Sequence, residues 1–273
     1  EKSIAKIETA ILSALENTPP ELYADTGAPV FASRGAVRSG AGLVFLGVPE
    51  SIWPVAAVKS DEAMPFPLPE AEGRLSLLAE ETIRRRAAGC DAVLLGCGLG
   101  RGRQTDALVR RLMDLPQPLV LDADGINALA GHMDEWERRR GRVTVLTPHE
   151  REFLRVGGDL SQGRTAAAED FARRSGAVVV LKGPGTVVAG PDGRCRVNTT
   201  GNCGMAKGGS GDVLSGVVLA LLGLGMDAFD ACCCAVWLHG RAGDLAAQEK
   251  GQWGMTPTDL LERLPQALRE VTE

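Results

Sequence analysis

Four short apolar runs, spaced by helical segments, restrict this chain more than any other feature. They are DAVLLGCG from Asp91, PLVLDAD from Pro118, VTVLTPHE from Val143 and AVVVLKG from Ala177. Each is too short for a helix and apolar on successive residues, the pattern of a strand buried on both faces. Between them, QTDALVRRLMDL places Leu108, Leu112 and Leu115 near helical spacing, and TAAAEDFARRSG reads as a helix closed by Gly176. Strands alternating with helices predict an α/β fold, a mostly parallel central sheet flanked by helices. TVVAGPDGRCRVN then predicts a small β-hairpin turning at Pro191-Asp192-Gly193. Two further helices are expected. One opens after a glycine cluster; the other starts at Asp227, a good N-cap, and carries Cys232, Cys233 and Cys234. There is no internal repeat and no low-complexity linker, so residues 1–273 are expected to form one domain. Within the 1–26 segment, Ile4, Ile7, Ile11, Leu12 and Leu15 predict an amphipathic helix that NTPP breaks.

Composition narrows the function. The net charge is −5 with both signs interspersed, which argues against a nucleic-acid partner. The longest apolar stretch, VLSGVVLALLGLGMDAF, is interrupted by glycines, so no membrane span is expected. The start is charged and does not read as a leader, which predicts a cytoplasmic protein. Seven cysteines, an odd number without metal-binding spacing, read as reduced thiols. His132, His149 and His239 are too scattered to suggest a zinc site.

The glycine cluster is GNCGMAKGGSGDVLSG, Gly201 to Gly216. A helix start exposes unpaired N–H groups and a partial positive charge, and glycines let the backbone approach a ligand closely. Together they form a phosphate cradle around Ser210, Gly211 and Asp212. It is not a Walker loop, since Lys207 precedes the glycine pair. Asp212 is either a base that takes a proton from an attacking hydroxyl or an ordinary first-turn carboxylate facing the helix dipole. GCGLGRGR from Gly96 fails the dinucleotide fingerprint because Arg101 stands where the third glycine belongs. It is a tight turn, a ligand contact, or both.

RSGAGLVFLGVPES at 38–51, LLGCGLGRG at 94–102, LVLDADGINALA at 119–130, LTPHEREF at 146–153, VVLKGPGTVVAGPDG at 179–193 and the glycine cluster occur in this order. Taken together they resemble the ADP- or ATP-dependent NAD(P)H-hydrate dehydratases of the ribokinase-like superfamily. The likeness runs from about Gly27 to the C-terminus. It implies a ribokinase-like three-layer fold and a repair reaction in which ADP or ATP drives removal of water from hydrated NADH or NADPH. The route implied is phosphorylation of the hydrate hydroxyl followed by loss of phosphate. The resemblance further implies Asp212 as general base and substrate contact. Gly208, Gly209, Ser210 and Gly211 become the anion hole, with Asn202, Lys182, Gly183, Pro184, Gly185 and Thr186 also at the nucleotide. Ala28, Gly98, Gly100, Asp124, Asn127 and His149 are placed at the substrate, with Asp122 lining the same cleft. Glu152 is placed near Mg²⁺-bound water, and the assembly is expected to be a homotetramer. The local alternatives are a solvated strand end for Lys182, a capping or core role for His149, a helix cap for Asp124 and a first-turn helix glutamate for Glu152. The family's usual first strand has no counterpart before TGAPVF, and Gly35 stands where a helix former is expected, at a cost of about 1 kcal/mol. The epimerase domain often fused upstream in the family is not among these residues, so no epimerase activity is expected of them.

Overall fold

The computed structural model describes residues 26–272, so the helix expected before Thr26 lies outside the described residues. The chain enters through α1 (Gly27–Arg38), then β1 (Phe45–Pro49), α2 (Trp53–Lys59), β2 (Met64–Leu68), β3 (Glu70–Ala71), β4 (Arg74–Leu75) and α3 (Glu80–Ala87). The four strands read from the sequence follow as β5 (Val93–Leu95), β6 (Leu119–Leu121), β7 (Thr144–Leu146) and β8 (Val178–Leu181). Their connections carry α4 (Arg103–Leu112), α5 (Ala123–Asn127), α6 (Asp134–Arg139), α7 (Glu150–Arg155) and α8 (Arg164–Ser175). The hairpin β9 (Val187–Ala189) and β10 (Cys195–Val197) precedes α9 (Ser210–Gly223), α10 (Ala228–Gly254) and α11 (Pro257–Thr272).

The main sheet has the order β10-β9-β8-β7-β6-β5, and β5 to β8 run parallel. The predicted hairpin closes antiparallel on β8, with Val179 opposite Ala189 and Leu181 opposite Val187. Alternation along each strand sorts the side chains into two cores. Val120, Val145, Val178, Val180 and Val188 pack against α9, α10 and α11. Leu119, Leu121, Leu146, Val179 and Leu181 face the other way, onto Val109, Met113, Ile126, Phe153 and Phe171. The result is helix, sheet, helix in three layers.

Three features depart from the sequence reading. β1 and β2 form a separate parallel pair, which the prolines at 49, 65 and 67 hid. The C-terminal part holds three helices, not two, because Gly251 takes φ 71° and Met255 is extended before α11 begins. Gly35 is required by packing rather than tolerated. A Cβ there would lie 2.6 Å from the Val213 carbonyl oxygen, and one on Gly216 would lie 2.0 Å from that of Ala32, so α1 and α9 cross at backbone contact. Arg139 supports the opposite layer. Buried at 2% exposure, its guanidinium donates to the carbonyls of Met113, Leu115, Gln117 and Val143 and to Thr144 Oγ1. Among the described residues, no helix is long and apolar enough to cross a membrane.

Candidate active site

The C-terminal ends of parallel strands are where open α/β sheets bind ligands. Here those ends meet the start of α9. β6 delivers Asp122, which is 1% exposed. Its Oδ1 accepts from Lys182 Nζ at 2.7 Å and from Ala123 N at 2.9 Å, and its Oδ2 accepts from Ser215 Oγ at 2.7 Å. Asp122, not Asp124, therefore caps α5. Lys182 leaves the end of β8 and brings Nζ to 3.2 Å from where a Gly211 Cβ would stand, beside the first turn of α9. Burial opposes its charge, but Asp122 and Glu152 outweigh that and hold its proton more tightly than usual. The ammonium is thus an interior group at the helix mouth, and the solvated strand end is excluded.

Asp212 is the first-turn carboxylate of α9. A Cys97 sulfur position, an Asp122 oxygen and an Asp212 oxygen lie within 4.8 Å of one another. Burial, then the negative charge of Asp122, push the Asp212 carboxyl up from 3.8 to about 6, against the pull of the Cys97 thiol and the Lys182 ammonium. Burial and the two carboxylates push the Cys97 thiol well above its usual range, so it stays protonated and acts as a donor. Asp212 is then a carboxylate near neutral pH with proton affinity suited to general base work.

The turn before α9 owes its shape to Gly209, which takes φ 100°; a Cβ there would meet the Phe31 ring of α1 at 2.8 Å. Ala28 lies in α1 one turn earlier. Gly208 has open space where a side chain would be. Ser210 is buried and its carbonyl receives His239 Nε2 at 2.8 Å. Burial lowers that imidazole to about 4, so it is neutral and Nε2–H donates. Lys207 points away from the helix mouth and donates to the carbonyls of Trp253, at 2.8 Å, and Met255. Asn202 is occupied at both ends of its amide, accepting from Gly204 N at 3.0 Å and donating to Asp244 Oδ1 at 3.0 Å.

The other predicted residues surround this centre. His149 caps α7: its Nδ1 accepts from Glu152 N at 3.2 Å while Glu152 Oε2 accepts from His149 N at 2.9 Å. The ring remains about half exposed, with Nε2 3.4 Å from Glu152 Oε1. Glu152 is buried and also faces Lys182 Nζ at 4.0 Å. Asp124 Oδ2 accepts from Gly100 N at 3.0 Å and Oδ1 from Asn127 Nδ2 at 3.2 Å, while Asn127 Oδ1 receives Arg155. Gly98 and Gly100 both have positive φ. The segment from Gly183 to Thr186 is braced by Arg164, which donates to the carbonyls of Pro184 and Leu181. Asp122, Lys182, Asp212 and the turn at 208–211 come together; Asp124, Asn127, Gly98 and Gly100 form a second cluster beside them; Asn202 is tied to its own loop at one end of its amide and to Asp244 of α10 at the other. Ser215, Thr147 and Cys97 were not anticipated at the site. All three lie inside the quoted motifs, but Cys97 and Thr147 follow strands and Ser215 lies within α9, so only the fold shows that they converge on Asp122.

Sheet order, helix layers and a glycine turn facing a buried lysine and a base place the chain in the ribokinase-like class. A ribokinase-like superfamily protein of Enterococcus faecalis V583 has the same fold, with TM-score 0.76 at 24% identity over 89% of this chain and 82% of that one. A family model described as NAD(P)H-hydrate dehydratase matches residues 22–266, and the chain belongs to that family. It is 41% identical over 254 residues to the bifunctional NAD(P)H-hydrate repair enzyme of Moorella thermoacetica, covering 91% of this chain and 48% of that protein. With the ADP-dependent (S)-NAD(P)H-hydrate dehydratase of Neisseria meningitidis serogroup B it shares 36% identity over 83% of this chain and 75% of that one. The ADP/ATP-dependent dehydratase of Bacillus subtilis, co-crystallised with ATP/Mg²⁺ and soaked with CoA, has TM-score 0.73 at 31% identity, covering 90% and 87% of the two chains. The chain spans about half the length of the bifunctional curated relatives it matches.

Proposed function

We propose that this chain dehydrates (S)-NAD(P)H hydrate back to NAD(P)H at the expense of ADP, or ATP, releasing AMP and phosphate when ADP is used. The observation that carries the reading is Asp212: a carboxylate with raised proton affinity in the first turn of α9, beside the Lys182 ammonium. The substrate hydroxyl loses its proton to Asp212 as its oxygen attacks the terminal phosphoryl group, and the bond from phosphorus to the nucleotide breaks. N–H groups of Gly208, Gly209, Ser210 and Gly211 gather the charge on the moving phosphoryl, with Lys182 at its flank. The C–O bond of the phosphate ester then breaks, the adjacent ring carbon gives up a proton to solvent and the ring double bond re-forms as phosphate departs, a better leaving group than hydroxide. Gly183, Pro184, Gly185, Thr186 and Asn202 line the nucleotide side. Ala28, Gly98, Gly100, Asp124, Asn127 and His149 line the substrate side.

Magnesium fits as an ion carried by the nucleotide. Asp122 has both oxygens engaged, whereas Glu152 Oε1, 3.4 Å from His149 Nε2, accepts no hydrogen bond among the described residues and could accept from a metal-bound water. Bound there, the ion supplies charge neutralisation at the phosphates. Family resemblance supports a homotetramer in the cytoplasm, acting on free dinucleotide with neither nucleic acid nor membrane as partner.

The test is a coupled assay of the purified chain with hydrated NADH or NADPH and each nucleotide in turn. Recovery of absorbance at the reduced-nicotinamide band, with stoichiometric AMP and phosphate from ADP, is expected. A stable phosphorylated product, or nucleotide binding without turnover, refutes the reading.

A further inference from the structure

Asp122 has no access to a ligand: it is 1% exposed, and its oxygens are taken by Lys182, Ala123 and Ser215. Its neighbourhood is nevertheless built with care. Thr147 Oγ1 stands 3.2 Å from Ser215 Oγ and backs the serine that donates to Asp122. The backbone is pinned as well, with Asp122 N donating to Leu95 O at 3.1 Å and Gly125 N donating to Asp122 O at 2.9 Å. Gly96 is needed for this fit, because a Cβ there would stand 1.6 Å from Asp122 O. The next residue, Ala123, is held at φ 46°, a left-handed conformation that is unfavourable for a non-glycine residue. A buried carboxylate so completely satisfied, next to local strain, needs a reason.

The geometry points to Asp122 as the positioning residue of the site: it holds the Lys182 ammonium beside Gly211 and presents its own charge to Asp212, so one buried carboxylate sets both cation and base. This rests on the proposed reaction and names a residue that acts through others. Three groups face Asp212: Asp122 at the end of β6, Cys97 in the turn after β5 and Lys182 at the end of β8. Asp122 repels the Asp212 charge and keeps it basic; Lys182 and the nearby Cys97 thiol, whose Sγ stands 3.9 Å from Asp122 Oδ2, oppose that. Without Asp122, Lys182 is left unbalanced and Asp212 becomes a weaker base. The lysine keeps its charge but loses its anchor, so the alignment of the moving phosphoryl suffers more than nucleotide affinity. The damage falls on turnover.

Asp122→Asn is the direct variant. The Asp212 carboxyl is titrated by ¹³C NMR in aspartate-labelled protein, its signal assigned by loss in Asp212→Asn. The expected result is a fall in Asp212 proton affinity of at least about threefold in Asp122→Asn. Lys182→Met alone is expected to raise it by a similar factor; the pair Asp122→Asn/Lys182→Met, which leaves no buried ammonium unpaired, is expected to fall at least about threefold below Lys182→Met, and that comparison carries the test if Asp122→Asn alone does not fold. In turnover, Asp122→Asn is expected to lower kcat by at least about tenfold without raising nucleotide KM, the signature of an interaction that serves the transition state. An unmoved titration, or a KM rise matching the kcat loss, overturns the inference. Failure of the unaltered chain to turn over any hydrate would refute the proposed reaction alone, and the titrations would still decide the role of Asp122.

Discussion

Asp212→Asn is expected to make the protein more stable and nearly inactive. The carboxyl moves from 3.8 to about 6 on folding, chiefly because burial and then Asp122 penalise its charge. Folding therefore raises its proton affinity. The stability it contributes is complete below the unfolded value near 3.8 and is lost as pH rises through about 6. At pH 7.5 the charged group costs the fold about 2.2 × 1.36, or about 3 kcal/mol at most. At pH 5 it is mostly protonated in the folded state, and the same linkage leaves about 1.6 kcal/mol. An asparagine is never charged, so the variant recovers this difference. For a chain of this size that is a rise in Tm of up to about 6–12 °C at pH 7.5 and about half as much at pH 5. Differential scanning calorimetry of both proteins at the two pH values reads this directly. Turnover should fall by about 10²–10⁴ in the same variant. A variant no more stable than the parent at pH 7.5, or equally stabilised at both pH values, would refute the electrostatic reasoning; unchanged turnover would remove Asp212 from the chemistry.

Other substitutions test the frame around the site. Gly216→Ala pushes a methyl to 2.0 Å from the Ala32 carbonyl oxygen, and should cost about 1–3 kcal/mol or more in urea unfolding; wild-type stability would show that α1 and α9 separate freely. Arg139→Met removes the donor from the buried carbonyls of Met113 and Leu115 and should lose at least about 2 kcal/mol by the same assay, with an unchanged midpoint refuting the bracing role. Gly209→Ala combines φ 100° with a contact of 2.8 Å to Phe31, and should weaken nucleotide binding by about tenfold in calorimetry, whereas unaltered affinity would show the turn makes no use of that conformation. With unaltered protein, the acid limb of kcat/KM should fall near pH 6, and a limb near pH 4 would contradict the burial of Asp212.

The sequence made the middle of the sheet easy to read because β5 to β8 are buried on both faces and therefore apolar throughout. The glycine turn was equally clear, since Gly209 and Asp212 stand within a few residues of each other and the first turn of a helix follows. β1 and β2 were hidden because Pro49, Pro65 and Pro67 are poor strand residues, acceptable here in a two-stranded pair with free edges. α11 was missed because Pro265 lies within it. At the site, the Lys182–Asp122 pair joins residues sixty positions apart, and Ser215 lies in the apolar run of α9 with nothing local to show that it bonds Asp122. Gly35 looked like a defect, since its value depends on Val213, far along the chain.

Lys207 has a consequence beyond filling its own valences. Its ammonium grips the carbonyls of Trp253 and Met255, where α10 ends and α11 begins, so the rim of the glycine turn is fastened to a joint nearly fifty residues downstream. Rigidity at one end of the proposed cradle is borrowed from α11. A clipped or displaced C-terminal helix would leave every proposed catalytic side chain in place and still slacken the cradle.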